Sequence, residues 1–386
     1  MGSGWQRLIS STVTAEGGNV GTEPGSVRAR RNREGSAQVV AVVGAASTPG
    51  RQLARRLAAN DEIGQVVAID RERGDVDHVT WRVIDLTDPA IVTRFSGVDV
   101  VVHTAVDLNV TDDVDGRSLR NVRSTQTVLT AAAAAGVRRV VVVTSAMVYG
   151  ARPDNPVPLD DDAPLRAPAD GGLVSDLLEV ESLCERARHA HPGMKVTVVR
   201  PATLVGADVD TVLTRHFEAP RLLVVREGNP AWQFCHVDDL ASALELVAGR
   251  ELDGPVTVGS PGHLDQDAVE AITGKGRVEL SSSLAFGTAG RLKRLGVTST
   301  PVSELHFVAH PWMVATTRLA EAGWRPECTN ELALHALMEE LGHRNASTLR
   351  RFGRRETAAT IGAAGATVAI LGTAVVVRKA RKRKRG

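Results

Sequence analysis

The chain of 386 residues has few aromatic side chains and only one tyrosine, Tyr149. Aromatic residues make up 3% of the sequence, whereas hydrophobic residues as a whole make up 43%. The core must therefore be built mainly from valine, alanine and leucine. A chain of this length can bury one large domain with appendages, or two domains. The charged fraction of 24% is that of an ordinary globular protein.

Cysteine is also scarce, since Cys184, Cys235 and Cys328 are far apart and odd in number. This spacing argues against a disulfide framework and against a zinc site, and it suits a reducing cytoplasm. No apolar run precedes Gln38, which argues against a secretory signal. We therefore expect a cytoplasmic protein with no metal site.

The first 36 residues lack hydrophobic periodicity and are rich in glycine, serine and arginine. This composition predicts a disordered arm, because such a segment cannot bury enough apolar surface to fold. The basic run Arg28–Arg33 favours a solvated arm over contact with nucleic acid.

Basic residues are concentrated at the C-terminal end. Seven of the last nine residues are lysine or arginine and none is acidic, although the net charge of the whole chain is only +1. The uncharged run 357–377 before them is long enough to span a bilayer, but it is rich in alanine, threonine and glycine. Three alternatives remain open for 357–385: a weak membrane anchor, a helix on an anionic membrane surface, and a disordered or protein-packed tail.

Valine-rich runs alternate with helical stretches from Gln38 onward. Because these runs are almost entirely apolar, they are typical of parallel strands buried on both faces. The predicted strands are Gln38–Val43, Val66–Ile69, Val79–Ile84, Val98–His103, Arg139–Thr144 and Val196–Arg200. Helices are predicted between them, such as Arg51–Ala59 and Arg120–Ala135. This order predicts an α/β fold with a Rossmann-type doubly wound parallel sheet.

The predicted fold has a small C-terminal substrate lobe and a hydrophobic and basic tail. The predicted boundaries are a disordered arm at 1–36, a nucleotide-binding domain at 37–200, a substrate-binding lobe at 201–345 and an appendage at 346–386. Some segments after residue 200 are expected to return to the first domain. The proline- and aspartate-rich segment Arg152–Gly171 is predicted to be a surface loop over the cleft.

A glycine-containing turn joins the first predicted strand to the first helix. Gly44 permits a sharp turn and Gly50 permits close packing of the helix on the sheet, with Ser47 between them. Backbone N–H groups and the positive end of a helix dipole meet here, which suits a pyrophosphate. Asp70 ends the second strand, twenty residues after Gly50, where a carboxylate accepts bonds from a ribose. These residues predict an NAD site, with NADP disfavoured; the alternative is a domain that binds nothing at this turn.

Further motifs follow this turn in order along the chain. With them, the chain resembles the extended short-chain dehydrogenase/reductase family, which contains nucleotide-sugar epimerases and dehydratases, from about residue 38 to 340. The motifs are Gly44-x-x-Ser47-x-x-Gly50, Asp85-Leu86, Val101-Val102-His103-Thr104-Ala105, Asn121-Val122, Ala134-Ala135-Gly136-Val137-Arg138-Arg139, Arg200-Pro201, Gly206, Cys235-His236-Val237-Asp238-Asp239-Leu240-Ala241 and Gly323-Trp324-Arg325-Pro326.

The resemblance implies cofactor contacts beyond the glycine turn. Asp85 and Leu86 match the pair that in the family holds the adenine ring. The other implied cofactor-binding residues are Thr104, Ala105, Asn121, Thr144 and Pro201. Ser47 stands where the family has its middle glycine, so a Cβ and a hydroxyl must fit beside the pyrophosphate.

The resemblance also implies a catalytic serine or threonine followed by a Tyr-x-x-x-Lys pair. In such a pair the tyrosine transfers a proton, and the charge of the lysine lowers the pKa of the phenol. Ser145 matches the serine or threonine of the family. The chain contains no second tyrosine, and the residue four positions after Tyr149 is Pro153. The Tyr-x-x-x-Lys pair is therefore absent from this sequence.

Two alignments remain open for the region where that pair is expected. If Ser175 matches the serine before the lysine, Gly172 takes the place of the tyrosine and Asp176 that of the lysine. If the acidic residues further along the helix are matched, Leu173 and Leu177 take those places. Neither alignment supplies a proton-transfer pair.

Other ionisable residues are candidates for the missing acid or base. Asp176 is the first of them, although a carboxylate at the start of a helix is also explained by the helix dipole. Glu179 at the same helix end, and His103 and His236 at strand ends, have simpler structural explanations. We therefore name Ser145 and Asp176 as the candidate catalytic residues.

The expected function is that of an NAD-binding protein with an altered catalytic site. The resemblance implies a nucleotide-sugar-like ligand and a homodimer. Two alternatives stay open: a non-catalytic sensor of NAD or membrane-associated scaffold, and an oxidoreductase with an unconventional acid or base.

Overall fold

The computed structural model describes residues 37–111, 113–295 and 301–351. The strands in these ranges are β1 (Gln38–Val43), β2 (Ile63–Asp70), β3 (Thr80–Val83), β4 (Val100–His103), β5 (Arg139–Val143), β6 (Lys195–Pro201), β7 (Thr203–Val205), β8 (Leu222–Val225), β9 (Phe234–His236), β10 (Gly254–Val258) and β11 (Arg277–Leu280). All six predicted strands lie within or overlap the first six of these.

Seven parallel strands of the described region form the central sheet, in the order β10-β6-β5-β4-β1-β2-β3. The chain therefore winds outward in both directions from the gap between β1 and β4. This is the doubly wound topology, and it confirms the predicted Rossmann-type fold. In such sheets, ligands bind outside the carboxyl ends of the strands at the point where the winding reverses.

Burial explains why the strands are rich in valine. Every residue of β4 is buried, as are Val40–Val43 of β1, because helices cover both faces of the sheet. β-Branched side chains pack well on such a doubly covered surface. The valine, alanine and leucine core that the scarcity of aromatic residues predicted is present here.

Helices connect and cover the strands. The α-helices of the described region are α1 (Thr48–Ala58), α2 (Val114–Ala134), α3 (Leu173–Ala190), α4 (Val212–His216), α5 (Val237–Gly249), α6 (Gln266–Thr273), α7 (Ser282–Arg294), α8 (Thr317–Glu321) and α9 (Asn330–Arg351). Both α1 and α2 begin earlier than the apolar periodicity predicted. Their starts are set by the capping side chains of Ser47 and Asp113, which accept bonds from first-turn amides.

The segment Arg152–Gly171 contains no helix or strand, but it is more deeply anchored than a surface loop. Asp161 is buried, and its Oδ1 accepts a bond from the N–H of Thr257 at 2.6 Å in β10. Its Oδ2 accepts another from the N–H of Arg318 at 3.1 Å. Most of the segment is exposed, as the prediction of a surface loop requires, and this buried carboxylate joins it to the edge of the sheet.

The chain after β6 forms two small parallel sheets, β7 with β9 and β8 with β11. β10 then returns to the central sheet beside β6. α9 continues across residue 345, the predicted end of the lobe. The domain boundaries themselves stay a prediction.

The described residues contain no helix that is long and apolar enough to cross a membrane. The predicted arm at 1–36, the run 357–377 and the basic tail 378–385 lie outside the described residues. The three alternatives for the C-terminal segment, and the predicted homodimer, therefore stay predictions.

Candidate functional site

The predicted cofactor residues lie along the carboxyl edge of the central sheet, around the gap between β1 and β4. Most of them lie at the ends of six neighbouring strands or in the loops that follow these strands, and the others contact those loops. These residues are Gly44, Ser47, Gly50, Asp70, Asp85, Leu86, Thr104, Ala105, Asn121, Thr144 and Pro201. Their use in binding stays a prediction, and their geometry determines what the edge can hold.

The turn between β1 and α1 requires both of its glycines. Gly44 has a φ of +91°, and a Cβ there would lie 2.8 Å from the Cβ of Ala105. At Gly50, a Cβ would collide with the carbonyl oxygen of Gly44. The helix start can therefore approach the strand end only because these two side chains are absent. The resulting turn brings the positive end of the α1 dipole to the gap.

Ser47 stabilises this turn from within. It is the N-cap residue of α1, and its hydroxyl donates to the carbonyl oxygen of Gly44 at 2.6 Å. The hydroxyl oxygen of Ser47 in turn accepts the N–H of Gly50 at 3.4 Å. Ser47, at the family's middle-glycine position, therefore stabilises the turn itself. In this structure its hydroxyl hydrogen points to the Gly44 carbonyl within the turn.

Asp70 links the end of β2 to the glycine turn. Its Oδ2 accepts the N–H of Ala46 at 2.9 Å, and its Oδ1 accepts the N–H of Arg71 at 2.7 Å. Each carboxylate oxygen can accept a second bond. The side chain is thus fixed in place and retains acceptor capacity for a pair of ribose hydroxyls.

The other predicted contacts of the sheet edge are also held by backbone bonds. Asp85 accepts the N–H and the hydroxyl of Thr87, and these bonds lower the pKa of Asp85. Thr104 donates from Oγ1 to the carbonyl of Val43 at 3.0 Å, which ties the ends of β4 and β1 together. Asn121 is fully buried and bonds both the N–H and the carbonyl of Asp107.

Thr144 and the single tyrosine belong to a buried ionic network. Arg200 forms two bonds with Glu181, at 2.9 and 2.8 Å, and Thr144 donates to the same carboxylate at 2.8 Å. The Tyr149 hydroxyl donates to the carbonyl of Asp161 and accepts from Arg200. Burial raises the pKa of Tyr149 to about 12. Tyr149 is thus a structural residue and cannot replace the missing acid or base.

Ser145, the first candidate catalytic residue, follows β5 at the same edge. It caps the short 3-10 helix Ala146–Tyr149 and accepts the N–H of Met147 at 3.2 Å. Its hydroxyl keeps its own hydrogen as a donor. The position after β5 is compatible with orienting a substrate oxygen, and that role stays a prediction.

Asp176, the second candidate, lies in the first turn of α3 but faces inward. Its Oδ2 is 3.1 Å from the Nε of Arg117 in α2, and both side chains are buried. This ion pair accounts for a carboxylate at that position. Leu173 and Leu177, the other residues aligned with the missing pair, are buried apolar side chains.

The remaining candidates have structural roles. His103 is fully buried, its Nε2 lies 3.1 Å from Thr125 Oγ1, and burial lowers its pKa to about 4. His236 caps α5 and accepts the N–H of Asp238. Glu179 is exposed and pairs with Arg186. None of these contacts requires a bound ligand.

Two acidic residues that the sequence did not single out lie at this site. Asp208, from the loop after β7, places Oδ2 3.3 Å from Thr48 Oγ1 and 3.4 Å from Arg51 Nη2, at the start of α1. Glu304 lies in the 3-10 helix Val302–Val308 and is buried against the start of α3. The available signal for Glu304 was its position directly before Leu305, Phe307 and Val308, which are apolar; Asp208 had no comparable signal.

Comparison with protein families matches this chain to a known family. The model of the NAD-dependent epimerase/dehydratase family matches residues 40–258. An uncharacterized protein of Mycobacterium tuberculosis is 29% identical over 310 residues, which cover 76% of this chain and 81% of that protein. A 4-hydroxy-2-methyl-3-oxo-4-farnesyl-3,4-dihydroquinoline-1-oxide ketoreductase of Stigmatella aurantiaca is 32% identical over 175 residues, covering 43% of this chain and 51% of that protein.

Solved structures share the fold at low sequence identity. A UDP-glucose 4-epimerase of Thermotoga maritima, solved with UDP-glucose, has a TM-score of 0.60 and 17% identity, covering 80% of this chain and 100% of that chain. A UDP-glucuronic acid 4-epimerase of Bacillus cereus, solved with NAD, has a TM-score of 0.59 and 16% identity, covering 80% and 99%. At these identities the likeness extends to the fold alone.

Proposed function

Because the chain belongs to the NAD-dependent epimerase/dehydratase family, we propose that it binds NAD at the carboxyl edge of the sheet, between β1 and β4. The observation that carries this proposal is the glycine turn bonded to Asp70. Gly44 and Gly50 leave room for a pyrophosphate at the start of α1, and the helix dipole favours its charge. Asp70 receives the adenine ribose with its remaining acceptor sites.

The same carboxylate sets the choice of dinucleotide. A 2′-phosphate on the ribose would place negative charge against Asp70, so NAD is bound in preference to NADP. Asp85 and Leu86 lie at the end of the neighbouring β3, where the adenine ring extends. The nicotinamide half of the dinucleotide is held by the rest of the sheet edge, which consists of Thr104, Ala105, Asn121, Thr144 and Pro201.

The second ligand is a nucleotide-sugar-like molecule, held between the sheet edge and the segments after β6. An oxidised nicotinamide supplies a hydride acceptor for the carbon of a substrate alcohol. Ser145 positions the oxygen of that alcohol, and another group must take its proton. Since Leu173, Leu177 and the paired Asp176 cannot do so in the manner of a tyrosine and a lysine, the acid/base chemistry is altered.

Calorimetry with NAD, NADH, NADP and NADPH tests the cofactor proposal. We expect NAD to bind best, and Asp70→Asn to weaken NAD binding about tenfold, because a bond to a charged acceptor becomes a neutral one. The ratio of the affinity for NAD to the affinity for NADP should be smaller in the same variant. Asp61→Asn is the matched control, since Asp61 is exposed near the opposite end of β2. No binding by any of the four dinucleotides would contradict the proposal.

A second candidate function is a sensor that binds NAD without turnover. Neither alignment of the missing pair supplies a free acid or base, which favours it: Leu173 and Leu177 are buried and apolar, and Asp176 is paired with Arg117. Incubation with NAD and either UDP-glucose or UDP-glucuronic acid discriminates the two. Formation of NADH or of an epimer that is lost in Ser145→Ala supports the enzyme, whereas tight NAD binding with no product supports the sensor.

A further inference from the structure

A small cavity of mixed polar and apolar lining lies beside the start of α3. Its volume of about 20 Å³ is sufficient for one water molecule. Its lining includes Gly172 and Leu173, the two positions aligned with the missing tyrosine, together with Arg117 and Glu304. The cavity therefore places two ionisable side chains at the point where the family's proton-transfer residue is absent.

Arg117 offers an unused donor at this cavity. Its side chain is 6% exposed, and its Nε is bonded to Asp176 at 3.1 Å. Its Nη2 is buried and has no hydrogen-bond partner among the described residues. Because an unpartnered buried guanidinium nitrogen is costly, this group calls for a water or a ligand oxygen.

Glu304 reaches the same point from a distant part of the sequence. It is 4% exposed, and its carboxyl accepts the backbone N–H of Leu173 at the start of α3. A Cβ on Gly172 would lie 3.0 Å from Glu304 Oε1 and 2.5 Å from Pro301 Cγ. Pro301 and Glu304 thus occupy the space that a side chain at position 172 would need.

The environment of Glu304 suits proton transfer at neutral pH. Burial raises its pKa to about 7, and the charge of Arg117 offsets part of that effect. A general acid or base works best when its pKa is close to the working pH, and burial is how enzymes bring a glutamate there. A plain surface carboxylate would remain ionised and would be a poor acid.

We propose that Glu304 is the proton-transfer residue of this chain, in place of the missing tyrosine, with Arg117 as its positioning residue. This inference rests on the proposed binding of NAD at the sheet edge. In the oxidation direction, the substrate O–H bond breaks and its proton forms an O–H bond with the Glu304 carboxylate. The C–H bond on the same carbon breaks with its electron pair, which leaves as hydride to the oxidised nicotinamide, and the substrate becomes a carbonyl.

The simpler explanation is a structural one, in which Glu304 only caps α3. Several charged groups act on it in either case. Asp170, Lys293 of α7 and Arg117 contribute to its electrostatic environment. Asp176 is paired with Arg117, and His306 and His310 lie in or next to the same 3-10 helix. A test must therefore change Glu304 alone and must measure a quantity that depends on the charge of the nicotinamide ring.

The oxidation state of the ring provides such a test, because only the oxidised ring is positively charged. A nearby positive charge favours the ionised carboxylate. We expect the affinity for NAD⁺ relative to NADH to rise about fivefold or more between about pH 6 and about pH 8 in the full chain. Calorimetry over this range gives the ratio. Glu304→Gln, which keeps the acceptor for Leu173, should make the ratio independent of pH.

Glu279→Gln is the matched control, since Glu279 is an exposed carboxylate on β11, and it should leave the pH dependence intact. A flat ratio in the unmodified chain overturns the inference whether or not the variant folds. An equal slope in the chain and in Glu304→Gln also overturns it. Failure of both dinucleotides to bind is a different result, since it contradicts the proposed function on which the inference rests.

Discussion

The glycine turn and the start of α3 are built in different ways. The turn uses residues 44 to 70, which are close in sequence and joined by backbone bonds. The start of α3 brings together Arg117, Leu173 and Glu304, from three distant segments. The proposed nucleotide site thus depends on local sequence, whereas the proposed proton-transfer site is assembled from distant segments of the chain.

An acidic side chain from the loop after β7 lies beside the glycine turn. Asp208 contacts Thr48 and Arg51 at the start of α1, where the pyrophosphate is proposed to bind. Its carboxylate therefore interacts favourably with the helix dipole. Binding of a dinucleotide would have to displace this side chain or tolerate its charge.

The largest expected effect concerns the distant region. Because the pKa of Glu304 is raised to about 7 from an ordinary value of 4.5, the folded chain holds a proton there that the unfolded chain has lost. Stability therefore falls as pH rises through this window, by about 3 kcal/mol. Glu304→Gln has no carboxyl group to titrate, so its stability should not fall in this way. The difference in unfolding free energy between the variant and the unmodified chain should therefore shift by about 3 kcal/mol in favour of the variant from about pH 5 to about pH 8.

Urea unfolding at the two pH values measures this difference, with Glu279→Gln as the control that should show none. The other titrating groups are common to both proteins and cancel in the comparison. A difference between Glu304→Gln and the unmodified chain that does not change with pH would mean that Glu304 is not held protonated by the fold.

An intermediate effect is expected at the local region. Gly50→Ala places a methyl group against the Gly44 carbonyl, so the turn must open. We expect a loss of about 1–3 kcal/mol in unfolding free energy, as for other overpacked sites, together with weaker NAD binding. Gly287→Ala is the control, because Gly287 lies on an exposed face of α7 with open space around it. That change should stabilise the chain by up to about 1 kcal/mol.

If Gly50→Ala leaves both the stability and the NAD affinity unchanged, the tight approach of α1 to β1 is not a requirement of the site. The contrast between the tightly packed glycine turn and the start of α3, which is assembled from distant segments, would then not hold.

The smallest effect is expected at Asp208, beside the glycine turn. Asp208→Asn removes a negative charge from the start of α1 and keeps an oxygen for Thr48. NAD should bind about two- to fivefold more tightly, which corresponds to the usual 0.3–1 kcal/mol for a charge at a helix end. Calorimetry measures the change, and Asp61→Asn should show none. Weaker binding by Asp208→Asn would indicate that Asp208 assists the ligand.

The sequence predicted the local region well for physical reasons. β1 was placed correctly at Gln38–Val43 because its residues are apolar and end at a glycine. The positions of the glycine turn and of Asp70 were predicted from their spacing in the sequence, because the geometry of both depends on backbone nearby in the chain. The missing proton-transfer pair stays a prediction from the sequence, and the single tyrosine is buried and bonded to Arg200.

The distant region could not be predicted in the same way. The pairing of Asp176 with Arg117 joins two helices and leaves no periodic signal in either one. Asp161 falls in a proline-rich segment that resembles a surface loop, yet its carboxylate is buried by bonds to Thr257 and Arg318. Glu304 depends on tertiary packing to become buried, so its chemistry emerges only in the folded chain.

A crystal structure of the full chain with NAD⁺ tests the central claim most directly. The account predicts a pyrophosphate at the start of α1, an adenine ribose bonded to Asp70, and Glu304 as the ionisable side chain nearest to the nicotinamide C4. A dinucleotide bound away from the Gly44–Gly50 turn would contradict the account.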